Sequence, residues 1–143
     1  ARGVVIGMEP HYANLINTPE KVLELLRLVD SPNLRVTFDI SHFNIQGYSI
    51  EQSVAAMAPV TVFAHIKDER GLVPDFDFLI PGEGVFDCVT YLKEMARHHY
   101  TGYIMPEISI FVQRRPDYDA LAAATQSAAV LNRAYAAAGM PRH

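Results

Sequence analysis

Apolar and polar positions along the chain switch between a strand-like and a helix-like period, and the switching predicts strands and helices in turn. Val4-Val5-Ile6-Gly7-Met8 is a short β-branched apolar run of the kind that fills a strand buried on both faces, and it ends at Glu9. After a polar loop, Thr18 can cap a helix with Pro19 in its first turn and Glu20 beside it. Its apolar stripe is Val22, Leu25, Leu26 and Val29, and Asp30-Ser31-Pro32-Asn33 stops it. Leu34 to Phe38 is a second strand ending at Asp39, and Ile50 to Met57 is a short helix before Pro59. Thr61 to Lys67 is a third strand. A long loop containing Pro74, Pro81 and Gly82-Glu83-Gly84 then leads to a helix from Phe86 to His98, with Val89, Leu92, Met95 and Ala96 on one face. Tyr103 to Met105 is the fourth strand, ending at Glu107. An Ala-rich helix from Tyr118 to Ala138 closes the chain, and Gly139 followed by Pro141 is a common helix stop.

Strand and helix alternating in this way imply parallel strands joined by right-handed crossovers. A complete (β/α)₈ barrel takes about 250 residues, so four such units make half of one. Periodicity alone leaves a second architecture open, a small open parallel sheet.

Composition narrows the class. The chain has 143 residues, a net charge of −4, half its residues hydrophobic and one cysteine, Cys88. These figures describe one globular unit spanning 1–143. A single thiol makes neither an internal disulfide nor a Cys-rich zinc site, so Cys88 reads as a small buried hydrophobe in a reducing, cytoplasmic setting. No apolar run reaches the roughly 20 residues that span a bilayer, so no membrane is expected. A mildly acidic chain lacks the basic footprint that nucleic-acid binding needs. The first element begins almost at residue 1 without an initiator methionine, which suggests a piece of a longer chain.

The candidate chemistry lies at the strand ends. Glu9, Asp39, His65 and Glu107 each stand at or near the C-terminal end of a different strand, and in a parallel barrel those ends converge on one face. Three carboxylates and an imidazole brought to one point repel unless a cation neutralises them, so the pattern predicts a divalent metal. Mostly oxygen ligands with one nitrogen suit Mn²⁺ foremost, then Mg²⁺ or Co²⁺, with Zn²⁺ compatible. A single acidic residue at a strand end is commonly mere solvated decoration; three acids and a histidine at four successive strand ends make chance a weaker explanation.

The same positions carry a family resemblance. Glu9-Pro10-His11, Thr18-Pro19-Glu20, Asp39-Ile40-Ser41-His42-Phe43, His65-Ile66-Lys67-Asp68, Gly82-Glu83-Gly84 and Glu107-Ile108-Ser109 follow one another in the order found in the C-terminal half of sugar phosphate isomerase/epimerase family members. These are TIM barrels of the xylose-isomerase-like superfamily. The resemblance covers the whole chain, and it is specific for the superfamily rather than for a substrate. It implies an α/β fold, roughly the last four βα units of the barrel, with the metal held by Glu9, Asp39, His65 and Glu107. It also implies that His42, three residues after the aspartate, binds substrate hydroxyls; a histidine satisfied by a backbone carbonyl is the alternative.

The implied activity is isomerisation or epimerisation of a small sugar, sugar phosphate or polyol. A C–H beside a carbonyl becomes acidic when a metal stabilises the resulting enediolate, and a carboxylate then removes and returns the proton. Glu9 and Glu107 are the expected catalytic pair. Lys67 is two residues after His65 and so on the same side of its strand, where it can steady a substrate oxygen or simply reach solvent. Gln113-Arg114-Arg115-Pro116 follows the last strand, a region where many barrels bind phosphate, although adjacent arginines often face solvent. Arg70 resembles the arginine that some ketose epimerases place after the metal histidine, but its spacing departs from that pattern, so it is assigned no role. Tyr12, Phe43, Tyr48 and Phe111 could wall a pocket or pack the barrel mouth. Three other readings stay open: an inosose dehydratase-like lyase, an endonuclease IV-like metal hydrolase, and a metal-binding scaffold without activity. Against the hydrolase stand the negative net charge and Lys67 beside Asp68. The expected partners are a small sugar or polyol, and either a second copy of the chain or a missing N-terminal half-barrel.

Overall fold

The computed structural model describes residues 2–140, so Ala1 and Pro141 lie outside the described residues. Strands β1 (Ile6–Met8), β2 (Leu34–Asp39), β3 (Thr61–Ile66) and β6 (Ile104–Pro106) form one parallel sheet in the order β1-β2-β3-β6. Helices α1 (Pro19–Val29), α3 (Ile50–Met57), α4 (Cys88–Arg97) and α6 (Ala120–Ala138) connect or follow these strands. The short helices α2 (Ser41–Asn44) and α5 (Ile110–Gln113) sit just past two strand ends.

The core decides between the two architectures. Val36, Phe38, Ala64 and Ile66 point from the sheet into one cluster with Val22 of α1, Val54 and Met57 of α3, Tyr91, Leu92 and Met95 of α4, and Leu131 of α6. All the long helices therefore cover one face of the sheet. Strand alternation sends Arg35, Thr37, Asp39, Phe63 and His65 to the other face, where no helix lies among the described residues. Helices on one face, and strands that neighbour one another in chain order, are the geometry of a barrel wall, not of a doubly wound open sheet. At β3 the register slips by one residue, since Val36 pairs with Thr61 and Thr37 with Phe63. Gly7 of β1 lies so close to Thr37 that a Cβ there would stand 2.5 Å from its Oγ1.

Helix ends follow local chemistry. Thr18 caps α1 and Asp30 ends it in the left-handed region (φ 47°), while Asp87 and Asp119 accept the first amides of α4 and α6. Gly139 (φ 69°) stops α6. Cys88 opens α4 within the core, and burial pushes its thiol up to about 12, so it is packing rather than a nucleophile.

Two expectations fail. The first strand is not buried on both faces: β1 is an edge with a single neighbour, and Ile6 is 64% exposed. The long loop after β3 is instead an antiparallel hairpin, β4 (Asp68–Leu72) with β5 (Asp75–Leu79), turned at Val73-Pro74. Asp75-Phe76-Asp77-Phe78 alternates with period two, Phe78 being buried and Asp75 and Asp77 exposed. That alternation was the available signal, too short to read between two prolines. The fourth strand lies one residue later than expected and includes Pro106, which an edge strand tolerates because its missing N–H faces no partner.

The wall leaves apolar surface open. Val5, Val62, Tyr103 and Met105 are all exposed, and a groove of about 690 Å³ runs beside β6, lined in part by Ile104, Tyr103 and Leu131. β1 and β6 each present an unpaired edge within the sheet. Expressed alone, residues 1–143 are expected to form dimers or larger species, and a monodisperse monomer in sedimentation velocity would overturn this.

Candidate metal centre

The strand ends deliver the four expected ligands to one place. One ligand atom each from Glu9, Asp39, His65 and Glu107 lies within 4.8 Å of the others. Two ligand atoms about 2.0–2.3 Å from one ion stand at most about 4.6 Å apart, when on opposite sides of it, so side-chain adjustment would bring all four onto one ion. His65 Nδ1 is 3.2 Å from Glu107 Oε2 and 3.6 Å from Glu9 Oε1. The donor set, three carboxylates and one imidazole facing inward, fits a hard or borderline divalent cation.

Asp39 is aimed by its own motif. The chain turns into α2 directly after β2, and Asp39 Oδ1 accepts from the Ser41 amide at 3.0 Å and its hydroxyl at 2.7 Å. The same turn directs Phe43 into the core and His42 toward the cavity. His42 Nδ1 is buried without a hydrogen-bond partner among the described residues, and Nε2 stands 3.9 Å from Asp39 Oδ2. A backbone carbonyl does not satisfy the ring. Burial lowers its pKa to about 4, so near neutrality the imidazole is uncharged.

Lys67 is not at the solvent. Its side chain is 3% exposed, with Nζ 2.5 Å from Asp39 Oδ2, 3.2 Å from Glu107 Oε1 and 4.9 Å above the Phe78 ring. Burial alone would lower its pKa, but the carboxylates of Asp39 and Glu107 outweigh burial and raise it. Glu107 is pulled down to about 2, first by the His65 ring nitrogen that faces it and then, against desolvation, by Lys67. His65 is correspondingly raised to about 9 by the carboxylates of Glu107 and Glu9 that face its Nδ1. That proton stands where a cation would: His65 must lose it for Nδ1 to ligate a metal.

A cavity of about 450 Å³ opens over this cluster. Glu9, Glu107, His42 and Lys67 border it, with Asp39 and His65 set behind them. Its rim includes Tyr12, Phe78 and Phe111, so two of the four expected aromatics are there. Phe43 and Tyr48 are not; they pack with the helices, where their positions in and after α2 turn them.

The arginines lie elsewhere. Arg70 pairs with Asp77 across the hairpin at 3.0 Å and Arg115 with Glu83 at 2.9 Å. Neither they nor Arg114 is among the residues bordering the cavity.

Two contributors escaped sequence reasoning. His11 borders the cavity with its ring centroid 4.1 Å from that of His42. Its Nδ1 accepts from the Ala13 amide at 3.2 Å, which leaves the proton on Nε2. Its place two residues after Glu9 was the signal. The second is the hairpin, which lays Phe78 against both Lys67 and His42. Asp68 holds the hairpin's return, accepting from the amides of Glu69, Gly82 and Phe86 at 2.8–2.9 Å. A Cβ on Gly84 would collide with that carboxylate, which accounts for Gly82-Glu83-Gly84.

A sheet wall with helices outside and acidic strand ends gathered at one mouth defines a barrel-type centre, and the chain belongs to the xylose isomerase-like TIM barrel family, whose sequence profile matches residues 1–134. It is 32% identical over 110 residues to protein MJ1311 of Methanocaldococcus jannaschii, covering 73% of this chain and 37% of that protein. To the inosose isomerase of Bacillus licheniformis it is 27% identical over 127 residues, covering 85% of this chain and 44% of the relative. The crystal structure of a D-tagatose 3-epimerase-like protein superposes with a TM-score of 0.75 at 27% identity, over 96% of this chain and 49% of that one. The chain thus spans less than half the length of each of these relatives. No helix among the described residues is long and apolar enough to cross a membrane.

Proposed function

We propose that these residues form the metal-binding and proton-transferring half of a sugar or polyol isomerase or epimerase. The observation that carries the reading is the convergence of Glu9, Asp39, His65 and Glu107 within 4.8 Å at the floor of a cavity rimmed by neutral imidazoles and aromatic rings. The inosose isomerase and the D-tagatose 3-epimerase-like protein among its relatives support a small polyhydroxylated carbonyl compound as substrate.

Glu9, Asp39, His65 and Glu107 would hold a divalent ion, with Mn²⁺ the first choice for this donor set. Bound there, the cation supplies the positive charge that polarises a carbonyl and acidifies the neighbouring C–H. Glu9 and Glu107 both border the cavity, so each can take a proton from the substrate carbon or return one. A carboxylate has about four lone-pair sites, so binding to a metal or to Lys67 leaves Glu107 capacity to accept a proton. Proton return from the opposite side gives an epimer, and return to the neighbouring carbon gives an isomer. His42, whose ring borders the cavity, binds a substrate hydroxyl. Phe78, Phe111 and Tyr12 exclude water from the reacting carbon.

The test uses the full-length protein in deuterium oxide with a panel of ketoses, ketose phosphates and inososes. Mn²⁺-loaded enzyme is expected to wash deuterium into the carbon beside the carbonyl of at least one of them, and chelation is expected to abolish it. Absence of exchange across the panel with Mn²⁺, Mg²⁺, Co²⁺ and Zn²⁺ would sink the reading.

A further inference from the structure

Among the described residues, Lys67 is the buried lysine of the site, at 2% exposure. Its ammonium touches two of the candidate ligands, Asp39 and Glu107, and is roofed by Phe78, so water does not screen it. The contact with Glu107 uses Oε1, whereas Oε2 of the same carboxylate faces His65. The division lets one carboxylate serve the lysine and the cluster together. On Asp39 the work is shared similarly: Ser41 holds Oδ1 and Lys67 holds Oδ2. A metal beside the lysine would share an Asp39 oxygen with Ser41 or Lys67 and take Glu107 at Oε2, away from the ammonium.

We propose that Lys67 sets the strength of the metal site, holding Asp39 and Glu107 together before the ion arrives and weakening the ion's binding once it is there. This rests on the reading of Glu9, Asp39, His65 and Glu107 as metal ligands. The two effects have one physical origin. With three carboxylates in a small volume, the metal-free state suffers their mutual repulsion, and a fixed ammonium relieves part of it. The same ammonium sits one carboxylate away from the divalent ion and repels it, through a region whose effective dielectric is far below that of water. A site of three carboxylates and an imidazole with no such lysine would hold its ion more tightly and be less stable empty.

The experiment compares full-length wild type with Lys67→Met and Lys67→Arg by Mn²⁺ titration calorimetry and by thermal unfolding with and without Mn²⁺. Met has similar length without the charge; Arg keeps the charge. Lys67→Met is expected to bind Mn²⁺ at least about tenfold more tightly, a gain that charges a few ångströms apart supply in this environment. It is also expected to melt lower when metal-free, so the Mn²⁺-induced rise in melting temperature grows. Lys67→Arg is expected to stay within a few-fold of wild type. Should Lys67→Met fail to fold without metal, Lys67→Gln carries the same expectation, because its amide keeps a donor between the two carboxylates. If the neutral variants bind Mn²⁺ with unchanged or weaker affinity while wild type binds it, Lys67 only organises the ligands, and the proposal falls alone. If wild type shows neither heat nor a thermal shift with Mn²⁺, the metal reading falls and this proposal with it.

Discussion

Full-length protein carrying Glu107→Gln is expected to lose deuterium wash-in by about 10²–10⁴-fold, the usual contribution of a positioned acid–base group, while still binding substrate. Gln matches Glu in shape, but its amide does not accept a proton as a carboxylate does. The substitution also changes two contacts. The charge that pulls Glu107 down to about 2 and helps raise His65 to about 9 would be lost, and Lys67 would keep Asp39 as its only carboxylate partner among the described residues. Metal content must therefore be measured beside activity, since weaker ligation alone could remove exchange. A metal-loaded variant exchanging at the wild-type rate would leave Glu107 as a ligand only and pass the acid–base role to Glu9 or to a residue outside this chain.

The second large effect concerns stability and pH. Glu69 is 5% exposed; its Oε1 accepts from Asn44 Nδ2 at 2.8 Å, and its Oε2 has no hydrogen-bond partner among the described residues. Burial first, then the negative charges of Asp68 and Asp39, raise its pKa from 4.5 to about 8, against the hydrogen bond from Asn44. A raised carboxyl pKa means the folded state keeps a proton that the unfolded chain releases. Stability from this group therefore falls as pH rises from about 4.5 to about 8, and is level above that. The loss is on the order of 3–5 kcal/mol. Glu69→Gln keeps the acceptor for Asn44 and cannot ionise. It is expected to remove most of this pH dependence and to melt several degrees above wild type at pH 8, with little difference at pH 5. Parallel melting curves of variant and wild type across that range would show Glu69 to be ordinarily ionised.

What could be read without the fold was whatever a few neighbouring residues settle. The stripe through Val22 and Leu26, with Thr18 and Pro19 before it, specified α1 because caps and apolar spacing act within a turn or two. The ionisable residue at the end of each strand was legible for a related reason: parallel topology sends all such ends to one mouth, and Glu9, Asp39, His65 and Glu107 do lie within 4.8 Å of one another. The tertiary structure decided what depends on covering. Alternation placed Lys67 on the same side as His65, but only the hairpin and Phe78 made it a buried partner of Asp39 and Glu107 instead of a solvent-facing side chain. The same holds for Val4 to Met8, whose composition suits a strand buried on both faces, while exposure is set by which neighbours stand beside it. His11 and Glu69 belong here too. Their chemistry comes from burial and from residues distant in sequence, His42 for one and Asn44 for the other, and no local pattern encodes either contact.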